Sequence, residues 1–426
     1  MGIGNSGRVV LISTAICALA SLACSSSPSK GTPGSPGGAG GSGASDGGGA
    51  TGGSGTPLTG ATAITAGTDF ACALLADGTV RCWGENDNGQ LASTVNDSAL
   101  LHCDSVKCSP PIAVAGVTGA TAVAAGLAGA CVVLADMTVS CWGDNTNGQL
   151  GDGTMNSSTT PVKVTGLTDV TAISAGDQDM CALKTTGDVL CWGTNPHGQI
   201  GNGTSNTAPT PTAPTGLGLT TQISAGDDTT CAVTAQSAVS CWGDNDLGQL
   251  GVGTQNDSYT PVAVSGLTSA ITAVSAGGFV TCALGIGGTV TCWGDNSAGE
   301  IGTGATTPAA VLMPGAVVTG ITTATAVAVG RDGGFFVCAL LADTTVKCWG
   351  DNSNGQLGNG TTNGSPTPVA VTGLTGVTAI AAGDNFACAL VAGGGVKCWG
   401  HNSEAQLGDG TTTNATTPVS VIASTP

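Results

Sequence analysis

The sequence predicts an all-β chain, a seven-bladed β-propeller of four-stranded antiparallel blades, and three observations predict it. Every tryptophan lies in the tripeptide Cys-Trp-Gly, at Trp83, Trp142, Trp192, Trp242, Trp293, Trp349 and Trp399, so the chain repeats at intervals of 59, 50, 50, 51, 56 and 50 residues. Around each tryptophan stand four short β-branched runs of period two separated by glycine, and apolar residues never keep helical spacing for two turns. A single four-stranded sheet of roughly 50 residues cannot bury both faces, whereas seven arranged about an axis can.

Composition narrows the function classes. Glycine accounts for 72 of 426 residues, against 7 Trp, 5 Phe and 1 Tyr, so the core has to be assembled from small and β-branched side chains. With 27 acids, 9 bases and a net charge of −18, the chain lacks the clustered Lys and Arg that a nucleic-acid backbone requires. Interior segments also fall short of the ~18 consecutive apolar residues of a membrane helix.

Residues 1–24 carry Arg8, an apolar run from Val9 to Ala20 and then Ser21-Leu22-Ala23-Cys24, the layout of a bacterial export signal. Cys24, followed by three serines, resembles the acylated first residue of a lipoprotein, although Ser21 stands where that pattern prefers leucine. Ala18-Leu19-Ala20 offers ordinary cleavage and free secretion as the alternative. Residues 25–58 are almost wholly Gly, Ser, Pro, Ala and Thr and read as a flexible tether, with the propeller occupying 59–426. On this reading the chain is exported and monomeric, touching a membrane only through the lipid on Cys24.

Within a repeat, we name the strands a (Pro-x-x-Val, as at Pro161–Val164), b (Val170–Ala175), c (around Cys181-Ala182-Leu183) and d (Val189–Gly193). The 16 cysteines beyond Cys24 include seven pairs spaced ten residues apart: Cys72 with Cys82, Cys131 with Cys141, Cys181 with Cys191, Cys231 with Cys241, Cys282 with Cys292, Cys338 with Cys348 and Cys388 with Cys398. The spacing fits a c–d hairpin. A three-residue loop around Asp77, with Gly78 in the left-handed bulge position, pairs Leu75 with Thr79 and sets Cys72 opposite Cys82. Facing residues of an antiparallel pair lie within disulfide reach, so each hairpin is expected to carry its own bridge. Cys103 and Cys108, in an insertion of the first repeat, are expected to form one more. Zinc is the rival for these thiols, but the chain has no Cys-x2-Cys knuckle and only 3 histidines. Disulfides imply an oxidising compartment, in agreement with the export signal.

The repeat motif, Ala-Gly followed by Cys-Ala-Leu, then Val-x-Cys-Trp-Gly-x-Asn-x-x-Gly-Gln-Leu-Gly, resembles the regulator of chromosome condensation repeat family over residues 60–426. The resemblance implies the propeller, with Trp-Gly and Gly-Gln-Leu-Gly in each blade, as at Trp142-Gly143 and Gly148–Gly151. It does not fix a function, because this fold hosts exchange factors, inhibitors and scaffolds. The family's usual His after Ala-Gly is replaced here by Phe70, Gly129, Asp179, Thr229, Val280, Phe336 and Phe386. The best-known member's action on a nuclear GTPase and chromatin is not carried over, since an exported acidic chain meets neither.

No nucleophile elbow, phosphate loop or zinc-protease motif is present, and no cofactor is implied. The histidines, His102, His197 and His401, lie in three different repeats. The loop from Asp144 to Gly148 faintly resembles a calcium loop but lacks its alternating carboxylates. Charge is more informative. In an antiparallel meander the b–c and d–a loops emerge on one face. The b–c loops carry Asp69, Asp177, Asp179, Asp227, Asp228, Asp332 and Asp384, and with the d–a loops they hold 21 of the 27 acids. This candidate acidic face suits a protein partner or a cation. The expected function is a non-enzymatic, envelope-tethered interaction module; a secreted enzyme inhibitor and a cation- or carbohydrate-binding surface protein are the alternatives. Exposure of Phe279, Phe335 and Phe336 side by side would favour a binding anchor.

Overall fold

The computed structural model describes residues 55–93, 101–103, 106–331, 333 and 335–423. The expected export signal, Cys24 and the tether as far as residue 54 lie outside these residues. Seven antiparallel sheets follow one another along the chain, six of them four-stranded. In the third, Val170–Ala175, Asp179–Lys184, Val189–Gly193 and Ala208–Thr212 pair in that order, so strand b is innermost and strand a outermost. The first sheet gains a fifth strand, Leu101–Cys103, on the outer edge of Val106–Ala113. In the fifth, strand a shrinks to Ala310–Val311. Each b strand touches the b strands before and after it, and contacts between Ala61–Ala66 and Val377–Ala382 complete the ring.

The hairpin arithmetic holds. Leu75 N–H donates to Thr79 O at 2.9 Å, Gly78 N–H donates to Leu75 O at 2.9 Å, and Cys72 faces Cys82. All seven expected pairs are disulfides. Cys72 is bridged to Cys82, Cys131 to Cys141, Cys181 to Cys191 and Cys231 to Cys241. In the last three blades Cys282 is bridged to Cys292, Cys338 to Cys348 and Cys388 to Cys398. Their Cα atoms lie 4.0–4.1 Å apart. Counting from Leu75 and Thr79, each pair occupies a non-hydrogen-bonded site of the ladder, where facing Cα atoms come closest. Gly78 does adopt the left-handed conformation (φ 77°), but Met137, Ser237 and Thr344 hold the same position in other blades at φ 61°, 60° and 68°. For the first-repeat insertion, the strand register sets Leu101, rather than Cys103, opposite Cys108; the side chains of Cys103 and Cys108 are outside those described.

The core is seven copies of one junction. At each, the disulfide of one blade packs in a cluster with the tryptophan of the next: Cys181 and Cys191 with Trp242, for example, and Cys388 and Cys398 with Trp83 across the closure. All seven tryptophans are fully buried. Each indole N–H donates to the backbone carbonyl of the Gly-Gln-Leu-Gly segment in the preceding blade, Trp242 to Gln199 at 2.8 Å and Trp83 to Gln406 at 2.9 Å. Burying an indole without a partner for its N–H would cost about 1–3 kcal/mol, and the repeat supplies that partner seven times. The glycine of Ala-Gly is fixed by the same closeness, since a Cβ on Gly67, Gly126 or Gly226 would collide with the carbonyl of the next blade's glycine.

The final strand, Ala415–Ser420, does not complete the first sheet but pairs with Gly395–Gly400 in its own. Each blade is one contiguous segment, and the ring is sealed by packing and by a short clasp. Leu58 N–H donates to Val421 O at 2.8 Å, Ala423 N–H donates to Thr56 O at 2.7 Å, and Leu58 is buried in the closing junction. Residues 55–58, assigned to the tether on composition, therefore belong to the propeller: the Gly/Pro pattern of a linker also suits an extended clasp.

Candidate interaction face

The b–c loops are short, and they link to one another around the axis. Thr68 N–H reaches Gly126 O, Leu127 N–H reaches Asp177 O, and Asp227 N–H reaches Gly277 O; Gly278, Arg331 and Asp384 continue to Gly330, Gly383 and Thr68. These six hydrogen bonds join six of the seven junctions and use the carbonyls and amides they involve. From the sixth blade the buried Arg331 sends Nη2 to Ala175 O of the third, 2.7 Å away, so its side chain crosses the axial opening.

The d–a loops are organised by the asparagine after Trp-Gly-x. Asn145 Oδ1 accepts from Leu150 N–H at 2.9 Å while Nδ2 donates to Thr154 O and Asn156 O, and Asn245, Asn352 and Asn402 repeat the pattern. Much of the acidity of these loops serves the same purpose. Asp144 accepts from the Thr146 hydroxyl (2.7 Å), Gln149 Nε2 (2.7 Å) and the Ser157 hydroxyl (3.0 Å). Burial pushes its carboxyl up, but the hydrogen bonds outweigh it and hold the group below the usual range. The segment that resembles a calcium loop is thus closed around its own donors.

The two loop sets meet as the meander parity requires. The glutamine of Gly-Gln-Leu-Gly reaches the next blade's b–c loop: Gln406 Nε2 to Asp69 Oδ1 at 2.9 Å, Gln199 Nε2 to Asp228 Oδ1 at 2.5 Å, Gln356 Nε2 to Asn385 Oδ1 at 3.2 Å. Of the acids singled out from the sequence, Asp69, Asp177, Asp228 and Asp384 are half-buried at this face, and Asp227 is 9% exposed. Asp332 lies outside the described residues. Asp179 is a correction: it is fully buried, because it fills the first position of strand c, where Phe70, Phe336 and Phe386 are buried in other blades. Among the described residues neither of its carboxylate oxygens has a hydrogen-bond partner, and burial, then Asp228 and Asp177, raise it well above the usual carboxylate range while Arg331 opposes them.

Two aromatic rings stand out on the same face. Phe279 and Phe335, from the b–c loops of the fifth and sixth blades, stack with centroids 6.3 Å apart and planes 16° from parallel. Phe279 is 37% exposed and Phe335 half-buried, whereas Phe336 is buried. A small cleft between the rings is floored by Gly278, Gly330 and Gly333. The cavities of about 320 and 360 Å³ lie around Lys184, at the opposite end of the third and fourth blades, and neither is lined by a histidine.

His197 and His401 are placed at blade junctions, and the side chain of His102 is outside those described. His401 Nδ1 lies 2.9 Å from Gln406 Nε2 and 3.8 Å from Asp69 Oδ1, and the Asp69 carboxylate raises it against the effect of burial. His197 Nδ1 lies 3.0 Å from Asp257 Oδ2 and 3.8 Å from Asp244 Oδ1. Burial lowers His197, but the Asp257 hydrogen bond and the charges of Asp228, Asp244 and Asp257 carry it above the ordinary imidazole value. Glu300 occupies the glutamine position of the fifth blade. It is fully buried, and burial pushes it up to about 7. Sequence reasoning counted Arg331 and Glu300 only as charges of the loop face and missed their burial and the meeting of His197 with Asp244 and Asp257; the signal available was that each breaks the register of the repeat.

Ring, repeat and loop geometry together define a repeat propeller whose blades are joined by tryptophan. The chain belongs to the regulator of chromosome condensation (RCC1) repeat family, one of whose models matches residues 61–90, 120–149, 170–199, 221–249, 271–300, 325–356 and 377–406, and another 138–183, 186–233, 238–284 and 345–390. Human WBSCR16 shares the fold with a TM-score of 0.70 and 22% identity, over 80% of this chain and 93% of that one. Prp20p from Saccharomyces cerevisiae does so at 0.68 and 18%, over 84% and 86%. Yeast RCC1 (Prp20) in complex with Kap60 gives 0.67 and 19%, over 84% of each chain.

Proposed function

We propose that this protein is a non-enzymatic interaction module, held at the cell envelope by a lipid on Cys24 and a flexible tether, that binds a basic protein segment through the b–c and d–a loop face. The observation that carries this reading is the stacked Phe279–Phe335 pair, partly exposed on the same face as the half-buried carboxylates of Asp69, Asp177, Asp228 and Asp384. Exposed aromatic rings are the usual anchors of protein interfaces. A ring face beside carboxylates suits an Arg or Lys side chain, which stacks on the ring and is drawn in by the negative field. The complex of yeast RCC1 (Prp20) with Kap60, and the binding of Prp20p to Gsp1p and histones, support a protein as the class of partner.

The test is affinity capture from envelope extracts with the wild-type protein and with the double variant Phe279→Ser and Phe335→Ser. The double variant is expected to lose the captured partner while keeping its melting temperature. Capture by the wild type is expected to weaken as salt rises, because exposed charges are screened. Identical capture by both proteins contradicts the proposal.

A further inference from the structure

We infer that the junction of the third and fourth blades carries a binding site for a divalent transition-metal ion, formed by His197, Asp244 and Asp257. The three side chains come from two d–a loops and each offers one ligand atom, all within 4.8 Å of one another. His197 Nδ1 stands 3.0 Å from Asp257 Oδ2 and 3.8 Å from Asp244 Oδ1. An ion held at about 2.0–2.1 Å by tetrahedral donors spaces those donors by roughly 3.3–3.4 Å, so the two His197 distances need change by no more than about half an ångström.

The outer shell is in place. Asp257 keeps its other oxygen on Asn245 N–H at 3.1 Å, and Asp244 keeps its other oxygen on Gln249 Nε2 at 2.5 Å. Such contacts orient carboxylates toward an ion. Access exists, since the His197 side chain is 40% exposed and that of Asp257 25%. One nitrogen and two carboxylates, with room for water, suit Zn²⁺, Co²⁺ or Mn²⁺; Ca²⁺ asks for six or more oxygens.

The repeat shows that the fold does not require these residues. At the junction of the sixth and seventh blades the equivalent positions are Asn354 and Asn414. Asn414 Nδ2 donates to Asn354 Oδ1 at 3.1 Å, and Asn414 Oδ1 accepts from Asn402 N–H at 2.9 Å, as Asp257 does from Asn245. A neutral pair therefore supplies the whole structural role. Replacing it with His and Asp adds a ligating nitrogen and a charge at one junction only.

The test is titration of the untagged protein with Zn²⁺ by calorimetry near neutral pH, and with Co²⁺ followed by its visible absorption. One ion per chain is expected. His197→Asn and Asp257→Asn, which copy Asn354 and Asn414, should each weaken binding by roughly a hundredfold, with unchanged melting temperature in the absence of metal. The double variant gives this junction the asparagine pair of the sixth–seventh, although Asp244 remains where that junction has His401, and should bind nothing. Wild-type binding no tighter than that of the double variant, or a preference for Ca²⁺, would overturn the assignment.

Discussion

The interior junctions and the loop face of this propeller are built from the same repeats but obey different rules. Inside, every junction has the same tryptophan, the same disulfide and the same indole hydrogen bond. On the loop face the positions drift, and the fifth blade against the second shows what drift costs. Gln149 accepts Asn147 N–H through its side-chain oxygen and donates to Asp144 through its nitrogen. Glu300 accepts Ala298 N–H at 3.0 Å, and its backbone carbonyl still serves Trp349, yet it has no nitrogen to offer Asp295, whose charge opposes its ionisation. Backbone demands are met in both blades. Only the charge balance differs, and there the pH dependence enters.

The largest expected effect comes from breaking the constant side of the comparison. Trp242→Ala removes the buried ring that covers the Cys181–Cys191 bridge and takes from the Gln199 carbonyl one of its two donors, leaving the Thr230 hydroxyl, and should cost about 3–5 kcal/mol in denaturant unfolding. On the variable side, Glu300→Gln restores the blade-2 arrangement. A carboxyl at about 7 in the folded chain, against an ordinary 4.5, keeps its proton where the unfolded chain has lost it, so stability falls as pH rises through that window. The variant should flatten the decline by about 1.4 kcal/mol per pH unit, and above pH 7 should exceed the wild type by about 3 kcal/mol. Glu85, also pushed to about 7 by burial and then by Asp69, should leave a residual slope.

Removing one staple, with Cys181→Ala and Cys191→Ala together, should cost about 2–3 kcal/mol by chain entropy, measured as a shift in the unfolding midpoint. The smallest effect is expected at the hairpin tips. Thr344 is exposed and β-branched in a left-handed conformation (φ 68°), so Thr344→Gly should stabilise by about 0.5–1 kcal/mol in the same unfolding measurement. The first blade, with Gly78 at this position, already has that advantage.

Much of this was legible because repetition turns a sequence into its own control. The even spacing of Cys72 and Cys82 specified turn, register and bridge together, and the order of strands a to d gave the shared face of the b–c and d–a loops. What escaped were contacts between elements distant along the chain. Nothing local to Arg331 shows that it spans the axis to Ala175, and Asp179 looks like a surface acid until strand c is seen to begin in the core. Likewise the d–a carboxylates read as an exposed charge field, yet Asp144 and Asp351 are engaged by hydroxyls and amides of their own loops. Composition counts charges but does not say which are already partnered.

The claim on which the rest stands is that each blade is closed by its own sulfur bridge, buried against the next blade's tryptophan. Peptide mapping by mass spectrometry of the native protein, alkylated under denaturing conditions without reductant, addresses it directly. Cys72 should be recovered with Cys82, Cys131 with Cys141, Cys181 with Cys191, Cys231 with Cys241, Cys282 with Cys292, Cys338 with Cys348 and Cys388 with Cys398, and none of them alkylated. Free thiols at these positions, or bridges linking different blades, would contradict the architecture.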